Sequence, residues 1–547
     1  MLAVPRTEMF RFLRRVANDH ALAARLGMPV MEFREARLAH AARTRTVSRR
    51  DVLKMGGVLA GAALFAVPRH ARAASQPKVA IIGAGLAGLN AALTLADAGV
   101  RATVYEASDR VGGRMYSERR YWDGGQVSEY GGEFIDTEHT AIRDLCARFG
   151  LGLTDVRAAA PEDGKDVLFF DGRYRSHREF VEDFLPVYKA LEADVANAPD
   201  APTWNATTPG ATALSTMSVA EWIATRVPEG WFARFLEEAY VVEYGRQADE
   251  QTAVNLVYMM IDQPDLANPN VWGASDERFH ITGGNQRLPE AIAAALPRGT
   301  LEHGWRLEAI KRNTDGGQTL CFDGGRTVRA DHTILTVPLG VLKRIDYRHA
   351  GFDARMKRAI GELTMGFCTK LNMQFRERDW LGRGPWPDAS SGASFTDLGY
   401  QQIWDVTAGQ PGTMGIANQY GGGLGALRYR PSKPFLDSHD PYVHAAARST
   451  VGQFNAVIPG VAGDWTGKAT LAAWHQDPNS HGAYSCYPVG YCHRYAGYEG
   501  TRQGNIHLAG EHTSLDFQGY MNGAAETGAR AATEILTSQT LVSVLAG

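Results

Sequence analysis

The sequence predicts an α/β protein in which a Rossmann-like dinucleotide-binding domain is interleaved with an α+β second domain. Three observations carry that prediction. A unit of strand, glycine turn, helix and strand begins near residue 79; a helical tract and then strand-like segments follow residue 136; and the last part of the chain returns to a strand, a turn and a long helix.

The first unit is VAIIGAGLAGLNAALTLADAG, residues 79–99. Val79 to Ile82 is apolar on both faces and rich in β-branched residues, as a central parallel strand is, and Leu86, Leu89 and Leu93 recur at helical spacing. Gly83 permits the turn, Gly85 lets the backbone approach a diphosphate, Gly88 lets the helix pack closely on the strand, and Gly99 stops the helix. A second strand over 102–105 runs into Glu106, about twenty residues past the glycines, where a carboxylate accepts both hydrogen bonds of an adenosine ribose. In the EASDRVGGRMYS that follows, residues 106–117, Gly112 and Gly113 are again close-approach positions, and Arg114 places a fixed cation beside a diphosphate.

After Asp136 the apolar spacing becomes helical over 180–193, with Pro186 inside it, and over 219–225 and 231–244, interrupted by the Pro- and Thr-rich stretch 197–210. ITGGN (281–285) and a helix from Leu288 return to the dinucleotide domain, and TVPLGVLK (336–343) ends that visit. Strands over 370–375 and 412–418 place a sheet in the second domain. The chain therefore crosses between domains several times: 75–136, 278–345 and 476–547 are expected in the dinucleotide domain, 137–277 and 346–475 in a substrate-binding domain.

Upstream, Ser48-Arg49-Arg50-Asp51-Val52-Leu53-Lys54 is a twin-arginine pattern, followed by an apolar run over 55–67 and by Ala71-Arg72-Ala73. Residues 48–74 are expected to be a twin-arginine signal peptide, recognised by that export machinery and placing a folded, cofactor-loaded protein in the periplasm or outside the cell. Residues 1–47 read as a solvated basic extension. A net charge of −3 on 547 residues gives no reason to expect nucleic acid, and no apolar run reaches the ~18 residues of a permanent membrane span. The five cysteines have no metal-ligand spacing and read as packed thiols, with a Cys486–Cys492 pair left open.

The chain resembles the flavin amine oxidase family, which includes monoamine, polyamine and L-amino-acid oxidases. The resemblance runs in order from Lys78 to Leu536, through the two glycine motifs, SEYGGEFID (128–136), TVPLGVLK (336–343), HGAYSCY (481–487) and IHLAGEHTSLDFQGYMNGAAETGARAATEIL (506–536). It implies FAD, held by Gly83, Gly85, Gly88, Glu106, Gly113, Arg114, Gly131, Gly132, Glu133, Phe134, Leu307, Glu511, Gly519, Tyr520 and Met521. A helix beginning near Tyr520 or Met521 offers free N–H groups to the anionic edge of a reduced flavin. Ala483 stands where covalently flavinylated monoamine oxidases have a cysteine, so noncovalent FAD is expected.

The same resemblance implies that Tyr484 and Tyr520 form an aromatic cage through which the amine reaches the flavin, and that Lys343 holds a water against flavin N5. Phe134 occupies the position where L-amino-acid oxidases commonly place a carboxylate-clamping arginine. Asp136 matches an acid of plant polyamine oxidases; with Glu133 or Glu138 it is expected to attract a distal ammonium, unless these acids merely cap the next helix near Thr137. The implied reaction moves a hydride equivalent from the α-carbon to the flavin and yields an imine, hydrolysed to an aldehyde and ammonia or a smaller amine, with molecular oxygen reduced to hydrogen peroxide. The implied substrate is a small-molecule amine, a cationic di- or polyamine in the first instance. An L-amino-acid oxidase giving a 2-oxo acid and a dehydrogenase passing electrons to a protein or quinone carrier stay open, as does a homodimer.

Overall fold

Val79–Ile82 is buried at every position, as its two-faced apolar pattern requires, and lies in the middle of a five-stranded sheet. The order is Ile506–Leu508, His332–Leu335, Val79–Ile82, Ala102–Glu106, Leu301–His303, and every pairing is parallel. Parallel neighbours need crossover connections, so strands from three distant stretches of sequence meet here. The structure is a computed structural model that describes residues 77–546; the expected extension and twin-arginine signal lie outside the described residues.

The helix Leu86–Asp97 is pressed onto this sheet. Gly83 has φ 105, a left-handed conformation that a side chain resists, and a Cβ on Gly88 would lie 2.0 Å from the Gly83 carbonyl oxygen. The C-terminal helix Met521–Ala546 crosses the first helix just as closely: a Cβ on Gly528 would lie 2.2 Å from the Ala87 oxygen, and Asn90 Nδ2 donates to the Ala525 oxygen at 2.7 Å.

A second, eight-stranded sheet orders Phe435–Asp437, Trp465–Ala473, Cys368–Phe375, Gly415–Gly422, Gln402–Asp405, Ser390–Thr396, Lys165–Phe170 and Arg173–Arg175. It is antiparallel except where Lys165–Phe170 runs parallel to Ser390–Thr396. The strand expected over 412–418 is displaced to Gly415–Gly422, because Gly412, at φ 92, belongs to the turn before it. One face is covered by the helix Pro441–Val457 through Phe454, which packs on Phe375 and Trp380. Helices His177–Asn197, Val219–Arg226 and Trp231–Tyr244 form the expected lobe around Phe184, Trp222, Leu236 and Tyr240. The first two begin at capping boxes, Ser176 with Glu179 and Ser218 with Glu221. A four-stranded sheet that includes Leu307–Arg312 completes the frame.

All five cysteines are free, and Cys486 and Cys492 are buried and unpaired, so the open disulfide alternative falls. Among the described residues no helix is long and apolar enough to cross a membrane, and no cluster of His, Cys, Asp or Glu has metal-binding geometry.

The glycines of the first turn separate experimentally. Gly88→Ala pushes a methyl into the Gly83 carbonyl and is expected to destabilise the apoprotein by about 1–3 kcal/mol, read as a lower thermal midpoint. Gly85→Ala meets nothing within 4 Å, so the apoprotein midpoint is expected to hold while dinucleotide retention falls.

Candidate active site

An inner cavity of about 630 Å³ lies against the C-terminal ends of the parallel strands, lined by Ile82, Gly83, Gly85, Glu106, Gly113 and Thr336 among others. Glu106 is 9% exposed and pinned by three bonds: its Oε2 accepts from Ala84 N at 2.7 Å, and its Oε1 accepts from Ser108 N at 2.8 Å and Ser108 Oγ at 2.7 Å. Oε1 already accepts two bonds and Oε2 only one, so Oε2 keeps a lone-pair site for a ribose hydroxyl. Gly85 has open space where a Cβ would stand, and a Cβ on Gly113 would lie 3.3 Å from the Gly85 Cα, so two backbones converge with no side chain between them. Arg110, whose guanidinium sits 4.1 Å from the Tyr116 ring centroid, has a buried Nη1 with no partner in the cavity wall. An orphaned cationic donor beside a glycine cradle fits a diphosphate. FAD therefore fits these residues.

Arg114, the cation expected beside the diphosphate, lines the same cavity and is anchored there through Nη1. Its Nη1 donates to Glu511 Oε1 at 2.9 Å and to the Ala483 oxygen at 2.7 Å. Glu511 is 4% exposed and also receives Ser485 Oγ at 2.7 Å and Gly519 N at 3.1 Å on Oε2, and Ser485 N at 3.1 Å on Oε1. Burial alone would raise this carboxyl; the charge of Arg114, then His512 and the hydrogen bonds, outweigh it and keep it below its ordinary value. Gly131, Gly132, Leu307, Gly519 and Met521 all line the same cavity. Gly131 does so because a Cβ there would lie 1.8 Å from the Arg114 oxygen. The C-terminal helix begins at Met521, as expected, and presents its first turn to the cavity.

Tyr484 and Tyr520 both line the inner cavity, and Glu243 touches both: its main-chain oxygen accepts from the Tyr484 hydroxyl, and its carboxylate is hydrogen-bonded by Tyr520. Tyr484 also meets Tyr420, with hydroxyls 3.0 Å apart. Burial raises both phenols, which stay protonated.

Two sequence expectations are corrected here. Lys343 does not line the cavity; it caps the short helix Leu339–Leu342, is exposed, and donates from Nζ to the Gly361 oxygen at 3.1 Å. Leu339 and Leu342 are the buried face of that turn, which points the lysine outward. The lysine in the cavity wall is Lys370, 6% exposed, whose Nζ lies 2.5 Å from Glu133 Oε2. Asp136 neither lines the cavity nor caps the helix Thr140–Arg148, whose N-cap is His139. Its carboxylate faces the other way, accepting from Ser275 Oγ and Glu277 N, each at 2.8 Å, with His139 Nε2 at 3.6 Å. His139 in turn packs on Tyr520 with centroids 5.0 Å apart. Asp136 thus supports the loop that carries Glu277, whose own side chain does reach the cavity. Glu138 is exposed and does not line the cavity.

Lys370, Glu243, Glu277 and Arg110 are therefore the site residues missed. The first two had a signal: each is an isolated charge in an otherwise apolar run, in FCTKL and YVVEY.

The family of flavin-containing amine oxidoreductases matches residues 86–536. Polyamine oxidase 4 of Oryza sativa subsp. japonica is 26% identical over 514 residues, covering 88% of this chain and 92% of the relative. The L-amino-acid oxidase of Mus musculus is 24% identical over 482 residues, covering 85% of this chain and 71% of the relative. Two plant relatives are longer, and the chain spans 52% and 59% of them. Cyclohexylamine oxidase from Brevibacterium oxydans shares the fold, with a TM-score of 0.72 over 85% of this chain and 100% of its own, at 24% identity. The matched region supplies the cavity walls from Leu86 onward, and the chain belongs to the flavin-containing amine oxidoreductases, as an FAD-dependent enzyme of that family.

Proposed function

We propose that the enzyme oxidises a cationic amine, a di- or polyamine in the first instance, to an aldehyde. The observation that carries this reading is the charge at the mouth of the inner cavity. Phe134, Glu243, Glu277, Trp404 and Tyr420 line both that cavity and an outer chamber of about 640 Å³, and the charged groups among them are two carboxyls. On the inner wall Lys370 is paired with Glu133 and Arg114 with Glu511, while Arg157 and Lys165 line the outer chamber and the Arg157 charge partly offsets the rise of Glu277. Among the residues that the two cavities share, a substrate carboxylate finds no cation, whereas an ammonium finds two acids.

FAD in the cradle supplies the two-electron oxidant for the C–N bond, and oxygen, reduced to hydrogen peroxide, restores it. The protein's own groups prepare the amine. Tyr484 and Tyr520 remain neutral and present electron-rich rings to the reacting nitrogen. Burial raises Glu243 to about 7, with the Asp136 charge adding to it, and raises Glu277 to about 8, with Glu243 and Asp136 adding. Lys370, neutralised by Glu133, takes the place that the resemblance gave to Lys343, holding a proton at Nζ on the inner wall.

Anaerobic mixing of the holoprotein with amines and, separately, with L-amino acids tests the reading. Amines alone are expected to bleach the oxidised-flavin absorbance and to leave an aldehyde after turnover; bleaching by amino acids with a 2-oxo acid product would replace this reading with an L-amino-acid oxidase.

Because a raised carboxyl pKa means a neutral group below it, cation affinity should rise as the pH climbs through about 7 to 8. Glu277→Gln is expected to flatten that rise and to raise KM by about 10-fold to 100-fold, the loss of one charged hydrogen bond, with a much smaller change in kcat. Lys343→Ala should leave flavin reduction and reoxidation within about twofold, while Lys370→Met slows one of them by about 10²-fold; rapid-mixing absorbance measurements of both half-reactions decide it.

A further inference from the structure

Two cavities of nearly equal volume, about 630 and 640 Å³, meet at one partition. The inner one holds the dinucleotide cradle together with Tyr484 and Tyr520, so FAD and the reacting end of a substrate share it and the rest of the substrate has the junction and the outer chamber. Trp404 stands at that junction. Its ring centroid is 5.8 Å from that of Phe134 and 5.2 Å from that of Tyr420, so aromatic faces wall the passage.

The ring is also pinned from behind. Trp404 Nε1 donates to Glu133 Oε1 at 3.1 Å; the other oxygen of Glu133 pairs with Lys370 Nζ at 2.5 Å; and that Nζ lies 5.3 Å from the Trp404 ring centroid. Glu133 and Lys370 are 7% and 6% exposed. Swinging the indole away would strip a buried carboxylate of one donor and a buried ammonium of its aromatic neighbour, both unfavourable in a low-dielectric wall. Most aromatic gates can move; this one is held by a buried ion pair.

We propose that Trp404, fixed by Glu133 and Lys370 and facing Phe134, is the specificity-determining partition of the substrate site. It passes an amine whose nitrogen-bearing carbon is unbranched and rejects one branched there, while the outer chamber takes the remainder of an elongated molecule. Glu133 acts through Trp404 as a positioning residue. This deepens the amine oxidase reading and rests on it for the substrate class.

The test uses the FAD-loaded enzyme, a linear diamine, and its analogue with one methyl on each nitrogen-bearing carbon. The wild type should prefer the linear diamine by more than about tenfold in kcat/KM, the discrimination a single methyl commonly produces. Trp404→Ala should bring the two within about threefold. Glu133→Leu should relax the preference in the same direction, whereas Glu133→Gln, which keeps an acceptor for Nε1, should retain it. Should Trp404→Ala fail to fold, Trp404→Phe, which keeps a ring but loses the Nε1 bond, is expected to give an intermediate ratio. A second readout does not depend on turnover. A diamine with two methyls on each nitrogen-bearing carbon has no hydrogen to lose there, and its binding, followed by perturbation of the flavin spectrum, should be at least tenfold tighter in Trp404→Ala than in the wild type. An unchanged ratio in a folded, flavin-loaded variant would overturn the proposal, as would a wild type that binds the methylated and linear diamines equally. If the wild type oxidises no amine at all, the amine oxidase reading falls, and the binding ratio still decides whether Trp404 is the partition.

Discussion

The buried carboxylate of Glu511 is the point on which the rest of the site depends. It ties together three segments that are far apart in sequence: Arg114 from the first glycine region, Ser485 from the segment carrying Tyr484, and Gly519 from the turn carrying Tyr520. The flavin cradle and the cavity's two tyrosines, Tyr484 and Tyr520, are thereby set by one hydrogen-bonded centre. Because Glu511 is held ionised against the cost of burial, removal of any one donor leaves a charge short of partners in a low-dielectric wall. The placement of these two tyrosines is therefore a property of the fold's interior rather than of the loops that border the cavity.

A second centre does the same for the outer side. Asp136 accepts from Ser275 and Glu277, and its partner His139 lies behind Tyr520. Glu277 has φ 41, in the left-handed region that a side chain resists, and the hydrogen bond from its N–H to Asp136 helps hold it there. The side chain that reaches the cavity is thus in a strained backbone, and Asp136 bears on the cavity through it.

Backbone demands were the most legible part of the sequence, because they leave a compositional mark. Gly83 and Gly88 stand where a Cβ would collide, and the helix that the periodicity implied from 219 starts there, directly after Ser218, while the one implied from 180 starts three residues earlier, at His177. Side-chain direction was less legible. Lys343 sits in a family motif, yet the short helix before it buries Leu339 and Leu342 and turns the lysine outward, whereas Lys370 lies on a strand buried along its whole length and has nowhere to point but inward. Asp136 and Glu277 show the limit more sharply. Both are acids on loop segments, and which of them faces the cavity depends on a hydrogen bond between residues far apart in sequence that no local pattern encodes.

An acidic junction beside a dinucleotide poses an electrostatic difficulty, since two unpaired carboxylates would be expensive to bury and would repel the anionic cofactor. The raised values of Glu243 and Glu277 resolve it. Near neutral pH much of this pair is protonated while no cation is present, so the empty site carries little uncompensated charge. On the proposed reading, an arriving ammonium would favour the ionised form, and by linkage the carboxyls would release protons as the cation binds. Charge then appears where and when it has a partner. The same burial that makes the junction apolar enough to pack Phe134, Trp404 and Tyr420 together is what tunes its acids toward the pH at which they respond to a cation.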